Sequence, residues 1–569
     1  MRKKPGPRFL KLSFSIVALL MLVLSACGAS GTPTGSTTSS APVKGGTFTD
    51  DLYEDVDSLI PNGVSETYAV LVDQSIWAPL FYGDSKGIVH PGLASEIPTQ
   101  ANGDVSADLK TWTIKLRPNL VWSDGQPITA DDVNFTWKLW DNPKFGAYST
   151  VGYNLIKSAD VSVPDKLSIT FHLSAAFEPF VSLWTDGGLA PLPAHHFASM
   201  SPDAILKSPD NLKPSVVSGP FTVSDSVVHD HFTMVRNPKY YLASQGYPYL
   251  DKIVFRFVTD ANTILKDLQA GSIDASWFLD VQKTPAYQAL TNYTLTHTAT
   301  SAGFEAIWIN EKNPILADVT IRKALAMAVD HNALIQTARR GAASPLCTDH
   351  PSGIVPGFQA DAACPKFDPA AANTLLDQAG WVKGADGVRA KNGKRLEFQY
   401  SSTAKNAWRA ADELILQQNF KAIGVKIDIQ NYPAGTFFGN VLPQGDPNKY
   451  QLAEFEQTYT YDGDDSTNIQ CNQIPSAANN YGGGNFAFYC NHALDPLLAK
   501  ELGTTDTTQR QAAFNQLHAI YLTDFPFITE YEPHDLAIYK NNVHNYTPGP
   551  MGAQETVNVW SWWCTSGQC

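Results

Sequence analysis

The stretch Leu109–Trp137, LKTWTIKLRPNLVWSDGQPITADDVNFTW, constrains the fold more tightly than any other part of the chain. Thr111–Leu116 alternates apolar and polar residues, which predicts a half-buried β-strand. Ser123–Gly125 predicts a turn, because glycine tolerates a positive φ and aspartate can accept a hydrogen bond from its own backbone. Thr129, followed by two aspartates, predicts a helix start with a capping hydroxyl and carboxylates near the positive end of the helix dipole.

The N-terminus has the pattern of a secretory signal. Basic residues precede Phe14–Leu24, which is apolar except for one serine, and small residues follow at Leu24–Gly28. Cys27 stands directly after Leu-Ser-Ala, which resembles the bacterial lipobox. This resemblance implies that residues 1–27 are a lipoprotein signal and that Cys27 carries a diacylglyceryl group, which suffices for stable anchoring. The alternative is an uncleaved membrane anchor, because the apolar run approaches spanning length.

Residues 28–45 are rich in serine, threonine, proline and glycine. They bury too little apolar surface to offset the entropy of ordering, which predicts a flexible tether. No later stretch of the sequence is apolar over a spanning length. We expect a folded body that is lipid-anchored to the outer face of the bacterial cell membrane, on the periplasmic side where a second membrane is present.

Length and charge limit the architecture and the partners. At 569 residues the chain exceeds what one hydrophobic core usually supports, which predicts two or more lobes. A net charge of -14 argues against nucleic acid or an acidic membrane as the main partner. The sequence has no P-loop and no glycine-rich dinucleotide fingerprint, and we expect no cofactor.

The cysteines predict disulfides. If Cys27 carries a lipid, six of the seven cysteines remain in an oxidising compartment, where pairing is expected and fifteen connectivities are open. The simplest arrangement joins residues that are close in sequence: Cys347 with Cys364, Cys471 with Cys490, and Cys564 with Cys569. Zinc is the rival, but no spacing is that of a CxxC motif and no histidine lies at a matching interval. We therefore favour disulfides and predict no metal site.

The stretch from Leu109 also resembles the signature of the family 5 extracytoplasmic solute-binding proteins, the peptide and nickel receptors of ABC importers. Their signature runs strand, LR, W-S-D-G-x-P-x-T-A-x-D-V, and this chain reads LRPNLVWSDGQPITADDV. Further segments resemble other parts of the family in the same order: Gly45–Phe48, Ser218–Val223, Val235–Tyr241, Gly271–Asp274, Asp318–Arg340, Phe367–Trp381 and Thr523–Tyr531. The resemblance covers nearly the whole chain beyond the tether.

The resemblance implies an α/β, two-lobed fold of the periplasmic-binding-protein type (type II, cluster C), with mixed sheets and a hinge. The first lobe would comprise residues 46–300 and 534–569, with an extra subdomain inserted at about 80–210. The second lobe would comprise residues 301–533.

The chain would cross between the lobes near Thr298–Gly303 and near Glu530–His534. Hinged closure of two lobes buries a ligand between them. The resemblance implies a non-enzymatic, monomeric receptor that captures an oligopeptide and delivers it to an ABC permease. Another solute, such as an oligosaccharide or chelated nickel, is the alternative on the same scaffold. An extracytoplasmic hydrolase and a sensory or adhesive lipoprotein remain as alternatives of other classes.

The ligand-contacting residues are inferred from the family. In its peptide-binding members an aspartate before a G-D-P-D loop pairs with the peptide's amino group, and in the dipeptide receptor an arginine pairs with the carboxylate. Here Tyr461 takes the amino-anchoring position, and a one-residue slip makes Asp462 the anchor instead. The carboxylate position falls near Thr403, with Lys405 as the nearest cation, so strict dipeptide specificity is not expected. The predicted ligand-binding residues are Tyr53, Glu54, Thr403, Lys405, Trp408, Tyr459, Tyr461, Asp462 and Asp464.

Three of these residues have a structural alternative. Tyr53 would be a buried core residue, Glu54 a solvated loop carboxylate, and Trp408 a residue packed on its own helix.

Two sequence motifs that are typical of a catalytic or calcium site are better explained as loop structure. Gly83–Gly87 matches G-x-S-x-G but lacks a following helix, which favours a hairpin turn. Asp462–Ser466 lacks the glycine and glutamate of an EF-hand loop.

Overall fold

The structure, a computed structural model, describes residues 41–569 except 57, 64–66, 85, 298–301, 353–355, 460 and 549–554. The signal sequence, Cys27 and nearly all of the predicted tether lie outside the described residues. Pro42–Cys569 forms one compact unit. None of the helices in the described part has both the length and the apolar character that a membrane span requires.

The strands are numbered in chain order. They are β1 Thr47–Leu52, β2 Phe81–Gly83, β3 Val89–Pro91, β4 Thr111–Lys115, β5 Ile156–Val161, β6 Ser168–Leu173, β7 Phe221–Val227, β8 His231–Arg236, β9 Lys252–Phe257, β10 Ala275–Trp277, β11 Tyr293–His297, β12 Gly303–Ile309, β13 Ala343–Ser344, β14 Val382–Lys383, β15 Arg389–Lys391, β16 Lys394–Arg395, β17 Glu397–Ser401, β18 Lys426–Ile429, β19 Leu452–Thr458, β20 Phe527–Pro533, β21 Leu536–Lys540, β22 Val543–His544 and β23 Trp563–Cys564.

The α-helices are numbered in the same way. They are α1 Thr67–Ile76, α2 Ala130–Trp140, α3 Ala194–Phe197, α4 Pro202–Ile205, α5 Ala261–Ala270, α6 Thr284–Gln288, α7 Val319–Ala326, α8 His331–Ala333, α9 Pro369–Gln378, α10 Ala407–Ala422, α11 Ala434–Thr436, α12 Leu442–Gln444, α13 Ser466–Ile469, α14 Asp495–Leu502 and α15 Thr507–Asp524.

A seven-stranded mixed sheet has the order β11-β21-β10-β1-β9-β8-β7, and we call the part of the chain built on it the first lobe. Strand β1 pairs parallel with β9 and β10, whereas β21 pairs antiparallel with β10 and β11. A single apolar cluster, which includes Phe48, Trp77 and Trp562, forms its core. The C-terminal segment of the chain therefore completes a sheet that the N-terminal segment begins.

A six-stranded mixed sheet has the order β13-β20-β12-β19-β17-β18, and the part built on it is the second lobe. Strand β12 lies antiparallel to β19 and β20, and all of its residues are buried. Phe304 and Trp308 belong to one apolar cluster, whereas Ile307 and Ile309 belong to another. Because both faces of the sheet are covered, β12 is an almost continuous apolar run, interrupted by Glu305.

The chain leaves the first lobe after β11 and returns to it after β20. Strand β20 continues to Pro533, and only His534 and Asp535 separate it from β21. The part of the second predicted crossing at Glu530–Pro533 is therefore strand, and the crossing itself begins at His534. The residue bounds of the two lobes stay a prediction.

The predictions for the signature stretch are confirmed. Strand β4 covers Thr111–Lys115, and Gly125 has a positive φ of 89°. The Asp124 carboxylate accepts a hydrogen bond from the Gln126 N–H at 3.0 Å. The Thr129 hydroxyl and the Asp132 carboxylate form a capping box at the start of α2. This stretch could be predicted because its structure depends on neighbours in sequence.

The segment Asp318–Arg340 does not form one continuous helix. Helix α7 ends at Ala326, α8 begins at His331, and a π-helical turn follows at Leu334–Ala338. Asp330 has non-helical backbone angles, and its carboxylate accepts a hydrogen bond from the Ala333 N–H at 3.0 Å. An aspartate bonded to the backbone in this way starts a new helix rather than continuing the old one.

Disulfides join cysteines that are close in sequence. The bonded pairs are Cys347–Cys364, Cys471–Cys490 and Cys564–Cys569. They are the pairs of the simplest arrangement among the fifteen that the sequence leaves open.

Replacement of the cap residue should destabilise the first lobe. Thr129→Ala removes the hydroxyl that accepts a hydrogen bond from the first turn of α2, and it should lower the free energy of unfolding by about 1 kcal/mol. Thr129→Ser keeps the hydroxyl and should stay within about 0.5 kcal/mol of the parent. Urea unfolding followed by tryptophan fluorescence measures both. Equal losses in the two variants would contradict the capping role.

Candidate functional site

The space between the two lobes is a continuous cleft. It comprises a central cavity of about 600 Å³, a side cavity of about 1130 Å³ and an outer cavity of about 840 Å³, open solvent included. Tyr148 lines all three cavities, and Gln457 and Thr458 line both the central and the side cavity. Each cavity has walls from both lobes, so a ligand in the cleft would contact both.

Aromatic side chains form most of the walls of the central cavity. The first lobe contributes residues from α1 and from the loops after α2 and β10, and the second lobe contributes residues from α10, β19 and nearby loops. These residues are Tyr68, Tyr148, Phe278, Trp408, Phe438, Phe455 and Phe486. Walls of this kind bind the apolar parts of a ligand, while a few polar groups fix its orientation.

A buried guanidinium lies at the floor of the central cavity. Arg409 Nε donates a hydrogen bond to Glu305 Oε1 at 2.8 Å, and Arg409 Nη1 donates to Thr403 Oγ1 at 2.8 Å. Arg409 Nη1 also lies 3.9 Å from Glu54 Oε1. Glu305 belongs to the second lobe and Glu54 follows β1 of the first lobe. One guanidinium therefore bridges the two lobes at the bottom of the cleft.

Carboxyl groups crowd around this guanidinium. The further carboxyl groups that interact electrostatically with Arg409 are Asp412, Glu413, Glu454, Glu456, Glu530 and Asp535. Burial raises the pKa of Asp412 to about 8 and that of Asp535 to about 7. Burial raises the pKa of Glu456 well above its ordinary value, and the charge of Asp535 raises it further. Carboxyl groups thus outnumber the guanidiniums of Arg409 and Arg339 in this described region, so a cationic ligand group would be favoured there.

The side cavity has apolar walls and two carboxyl groups. Its apolar residues include Val70, Tyr153, Phe177, Leu183 and Leu189. Asp186 lines it from the first lobe and Asp464 from the second. Burial raises the pKa of Asp186 to about 7 and that of Asp464 to about 6. The acidic character of the cleft therefore continues beyond the central cavity.

Hydrogen bonds between the lobes close the cleft around the side cavity. The hydroxyls of Ser149 and Thr467 are 2.7 Å apart, and Gln473 Nε2 donates to Thr150 Oγ1 at 2.8 Å. Each bond joins a first-lobe residue to a second-lobe residue. The structure is therefore a closed arrangement of the two lobes.

Two of the predicted ligand-binding residues line the central cavity, and a third lies behind its wall. Glu54 and Trp408 line it. Tyr53 is buried, and its ring stacks on that of Trp408 with the centroids 5.7 Å apart. The Tyr53 hydroxyl donates a hydrogen bond to the Lys405 carbonyl, so Tyr53 joins the lobes behind the cavity wall rather than facing the ligand. This is the buried role that the sequence left as an alternative.

The predicted carboxylate-binding position lies off the cavity. Thr403 is buried and accepts the hydrogen bond from Arg409. Lys405 is exposed, and its Nζ donates to Thr259 Oγ1 at 3.2 Å on the outside of the lobe contact. The cation that faces the cleft is therefore Arg409 rather than Lys405.

The predicted amino-anchoring loop divides between the cleft and the lobe contact. Tyr459 and Asp464 line the side cavity. Tyr461 packs against β2, where a Cβ added at Gly83 would lie only 1.9 Å from the Tyr461 hydroxyl oxygen. Tyr461 therefore fills a gap that the missing side chain of Gly83 leaves, and it lines none of the three cavities.

Asp462 is held by an arginine. Arg510 of α15 donates hydrogen bonds to the carboxylates of Asp462 and Glu501, and its Nη1 donates to Glu178 Oε2 at 3.2 Å. The Asp462 carboxylate is buried in this network. In the closed structure it is committed to Arg510, so we do not retain it as the amino anchor.

Several cleft residues are absent from the sequence prediction. Tyr148, Arg409, Phe455, Glu456 and Gln457 all line the central cavity. Arg409 directly follows a predicted site residue, and β19 carries Glu454 and Glu456 at alternate positions, next to apolar residues of the same strand. That alternation was a usable signal, because a carboxylate in a buried strand requires a partner. Tyr148 lies in an irregular loop with no comparable signal.

Comparison with known proteins gives the family. The sequence profile described as bacterial extracellular solute-binding proteins, family 5 Middle, matches residues 89–470. The oligopeptide-binding protein AppA of Bacillus subtilis (strain 168) is 24% identical over 96% of this chain and 97% of its own length. The nickel-binding periplasmic protein of Escherichia coli (strain K12) is 25% identical over 79% of this chain and 83% of its own length.

A solved structure supports the same conclusion about the fold. AppA from Bacillus subtilis in complex with a nonapeptide superposes with a TM-score of 0.83 at 21% identity, over 92% of this chain and 100% of that chain. The predicted two-lobed α/β fold is confirmed. These relatives are binding proteins rather than enzymes. The chain belongs to the bacterial extracellular solute-binding proteins of family 5, the extracytoplasmic binding proteins that serve ABC transporters.

Proposed function

We propose that this protein captures oligopeptides in the cleft between its lobes and delivers them to an ABC permease. The observation that carries the proposal is the combination of aromatic walls with an acidic floor in the central cavity. A peptide has apolar side chains along its length and a free ammonium group at one end, which match these two features. The relative AppA is named as an oligopeptide-binding protein, which agrees with this assignment.

Glu456 is the proposed partner of the peptide ammonium group. It lies on β19 and lines the central cavity between Phe455 and Gln457. Burial and neighbouring negative charge raise its pKa, so a cation placed beside it would stabilise its ionised form. Gln457 and Thr458 continue along the cleft and supply polar groups for the peptide backbone.

Chelated nickel is a second candidate ligand. A nickel complex with a net positive charge would also be attracted by the acidic floor, and one relative is named as a nickel-binding periplasmic protein. The experiment that separates the two is a thermal-shift comparison of peptides, nickel chelates and oligosaccharides. Stabilisation by a nickel chelate or a sugar, with no response to any peptide, would replace the peptide assignment and leave the family unchanged.

The proposal includes a lipid anchor at Cys27, which the sequence supports through its lipobox-like context. Two acyl chains would hold the protein at the outer face of the cell membrane, close to the permease. We also propose that the receptor acts as a monomer, because one chain supplies both walls of the cleft.

Loss of Cys27 should release the protein from the membrane. Cys27→Ala removes the thiol that would carry the lipid, so the protein should move from the membrane fraction to the soluble fraction of fractionated cells. Cys569→Ala, which alters a cysteine at the other end of the chain, is the matched control and should stay with the membrane. Membrane retention of both variants would contradict the anchor.

Removal of the Glu456 charge should weaken peptide binding. Glu456→Gln keeps the shape of the side chain but loses its charge, and a hydrogen bond to a charged group is worth about 1.5–3 kcal/mol. We expect the Kd for a peptide with a free amino terminus, measured by isothermal titration calorimetry, to rise about 10- to 100-fold. Glu397→Gln, at an exposed position on β17, should leave the Kd unchanged.

Acetylation of the peptide tests the same contact from the ligand side. The acetylated peptide should bind the parent protein as weakly as the free peptide binds Glu456→Gln. The variant should show little further loss with the acetylated peptide, because the partner of the ammonium group is already gone. Additive losses would show that the ammonium group binds elsewhere.

Peptide affinity should rise with pH between about 5 and 8. Burial raises the pKa of Glu456, the proposed partner of the ammonium group, well above its ordinary value, and it raises those of the side-cavity carboxyls Asp464 and Asp186 to about 6 and about 7. At pH 5 these cleft carboxyls are protonated, so an ammonium group beside Glu456 must displace a proton. Because these pKa values are raised, their stabilising contribution to the free protein is present at low pH and disappears as pH rises through 6–7. The melting temperature of the free protein should therefore fall over this range while the shift caused by peptide grows. A larger peptide-induced shift at pH 5 than at pH 8 would contradict this linkage.

A further inference from the structure

Three buried side chains with metal-binding atoms lie close together behind the side cavity. Asp349, His350 and His518 are at most 1% exposed. Asp349 Oδ1 lies 2.9 Å from His350 Nδ1 and 3.1 Å from His518 Nε2. The two imidazole nitrogens are themselves 3.0 Å apart. One oxygen and two nitrogens therefore form a nearly equilateral triangle inside the second lobe.

The outward nitrogen of each imidazole already has a partner. His350 Nε2 donates to the Gly463 carbonyl at 2.7 Å, and His518 Nδ1 donates to Gln359 Oε1 at 3.1 Å. A neutral imidazole carries a hydrogen on only one nitrogen. The inward nitrogens, His350 Nδ1 and His518 Nε2, then present lone pairs to each other and to the Asp349 carboxylate. With the hydrogens placed in this way, three lone pairs meet at one point, and a cation between them would satisfy all three.

A second carboxylate adjoins the triangle. Asp465 Oδ2 accepts a hydrogen bond from the Tyr521 hydroxyl at 2.5 Å. Asp465 Oδ1 is buried and has no hydrogen-bond partner among the described residues. The Asp349 carboxylate acts electrostatically on Asp465 more strongly than any other charged group does. Two adjacent buried carboxylates add to the need for positive charge at this point.

We propose that Asp349, His350 and His518 bind a divalent transition-metal ion, with Asp465 as a further ligand. Imidazole nitrogens and carboxylate oxygens are the donors that zinc and its neighbours in the first transition row accept. For an ion about 2.1 Å from each of the three atoms, the angles between the metal–ligand bonds would be about 90°. The hydrogen bonds from the outward nitrogens are the contacts that usually orient histidine ligands.

The site would join three segments that are distant in sequence. Asp349 and His350 lie in the loop closed by the Cys347–Cys364 disulfide, Asp465 directly precedes α13, and His518 lies on α15. His350 bonds to Gly463 and stacks on Tyr459 with the ring centroids 4.9 Å apart. Tyr459 and Asp464, which follows Gly463, line the side cavity, so the ion would support one wall of the cleft. Ion binding itself does not rest on the proposed peptide function.

This proposal reverses the expectation that the chain has no metal site. The ligands are separated by 168 positions, so no spacing pattern reveals them. The alternative is a hydrogen on one of the two inward nitrogens, which would donate to the other nitrogen and to the Asp349 carboxylate. The test therefore has to distinguish a bound ion from a bound proton.

The experiment uses the protein without a histidine tag, stripped with a chelator and then loaded separately with zinc, cobalt and nickel. After gel filtration, mass spectrometry of the metal should find about one ion per chain, and the loaded protein should melt at a higher temperature. His518→Gln and Asp349→Asn should each weaken metal binding at least tenfold. His492→Gln is the matched control, because His492 is exposed beside the Cys471–Cys490 disulfide and offers the other histidine-containing group.

Two outcomes would overturn the proposal. The first is a stripped protein that retains none of the three ions and does not change its melting temperature. This result would show that a proton, and not a metal ion, lies between the three side chains. The second is metal binding that survives His518→Gln but is lost in Glu456→Gln, which would place the ion in the cleft. If His518→Gln fails to fold, the cobalt absorption spectrum of the parent decides: visible bands of nitrogen-coordinated cobalt support the site, and their absence contradicts it.

Discussion

The guanidinium of Arg409 is the contact on which the closed cleft depends. It pairs with Glu305 of the second lobe and faces Glu54 of the first, under the aromatic walls of the central cavity. A buried ion pair adds little net stability, because the cost of removing both charges from water offsets their attraction. Loss of one partner, however, leaves a buried charge without compensation. The ion pair therefore contributes mainly specificity: the contact forms only when the lobes bring Glu54 and Glu305 to the same guanidinium.

The surplus of carboxyl groups around that latch links closure to the ligand. With the cleft closed, these groups are buried together, and their pKa values rise because burial disfavours the charged form and neighbouring carboxylates add repulsion. A cationic ligand provides the same relief without protons. A ligand shifts a conformational equilibrium only by the difference between its affinities for the two states. The acidic floor of the cleft is complete only when the lobes close. A cationic solute should therefore bind the closed state more tightly than the open state.

The sequence predicts the scaffold better than the site, and the reason is the distance over which each is determined. The Leu109–Trp137 stretch depends on bonds between near neighbours, such as the capping box at Thr129, and its structure matches the prediction. Asp462 was assigned by its position in a loop. Its environment is set by Arg510, 48 positions later on α15, and no local pattern indicates that pairing.

The same limit explains why the cleft chemistry and the Asp349 cluster emerge only from the fold. Glu54 and Arg409 are separated by more than three hundred positions, yet the return of the chain through β20 and β21 brings their lobes together. Local sequence can show that a carboxylate in β19 is out of place in a buried strand. Local sequence cannot show which cation pairs with that carboxylate, because the cation belongs to an element that is distant in sequence. For this chain the buried carboxyl groups are therefore a useful guide to function: at the cleft they favour a cationic solute, and around Asp349 they favour a metal ion.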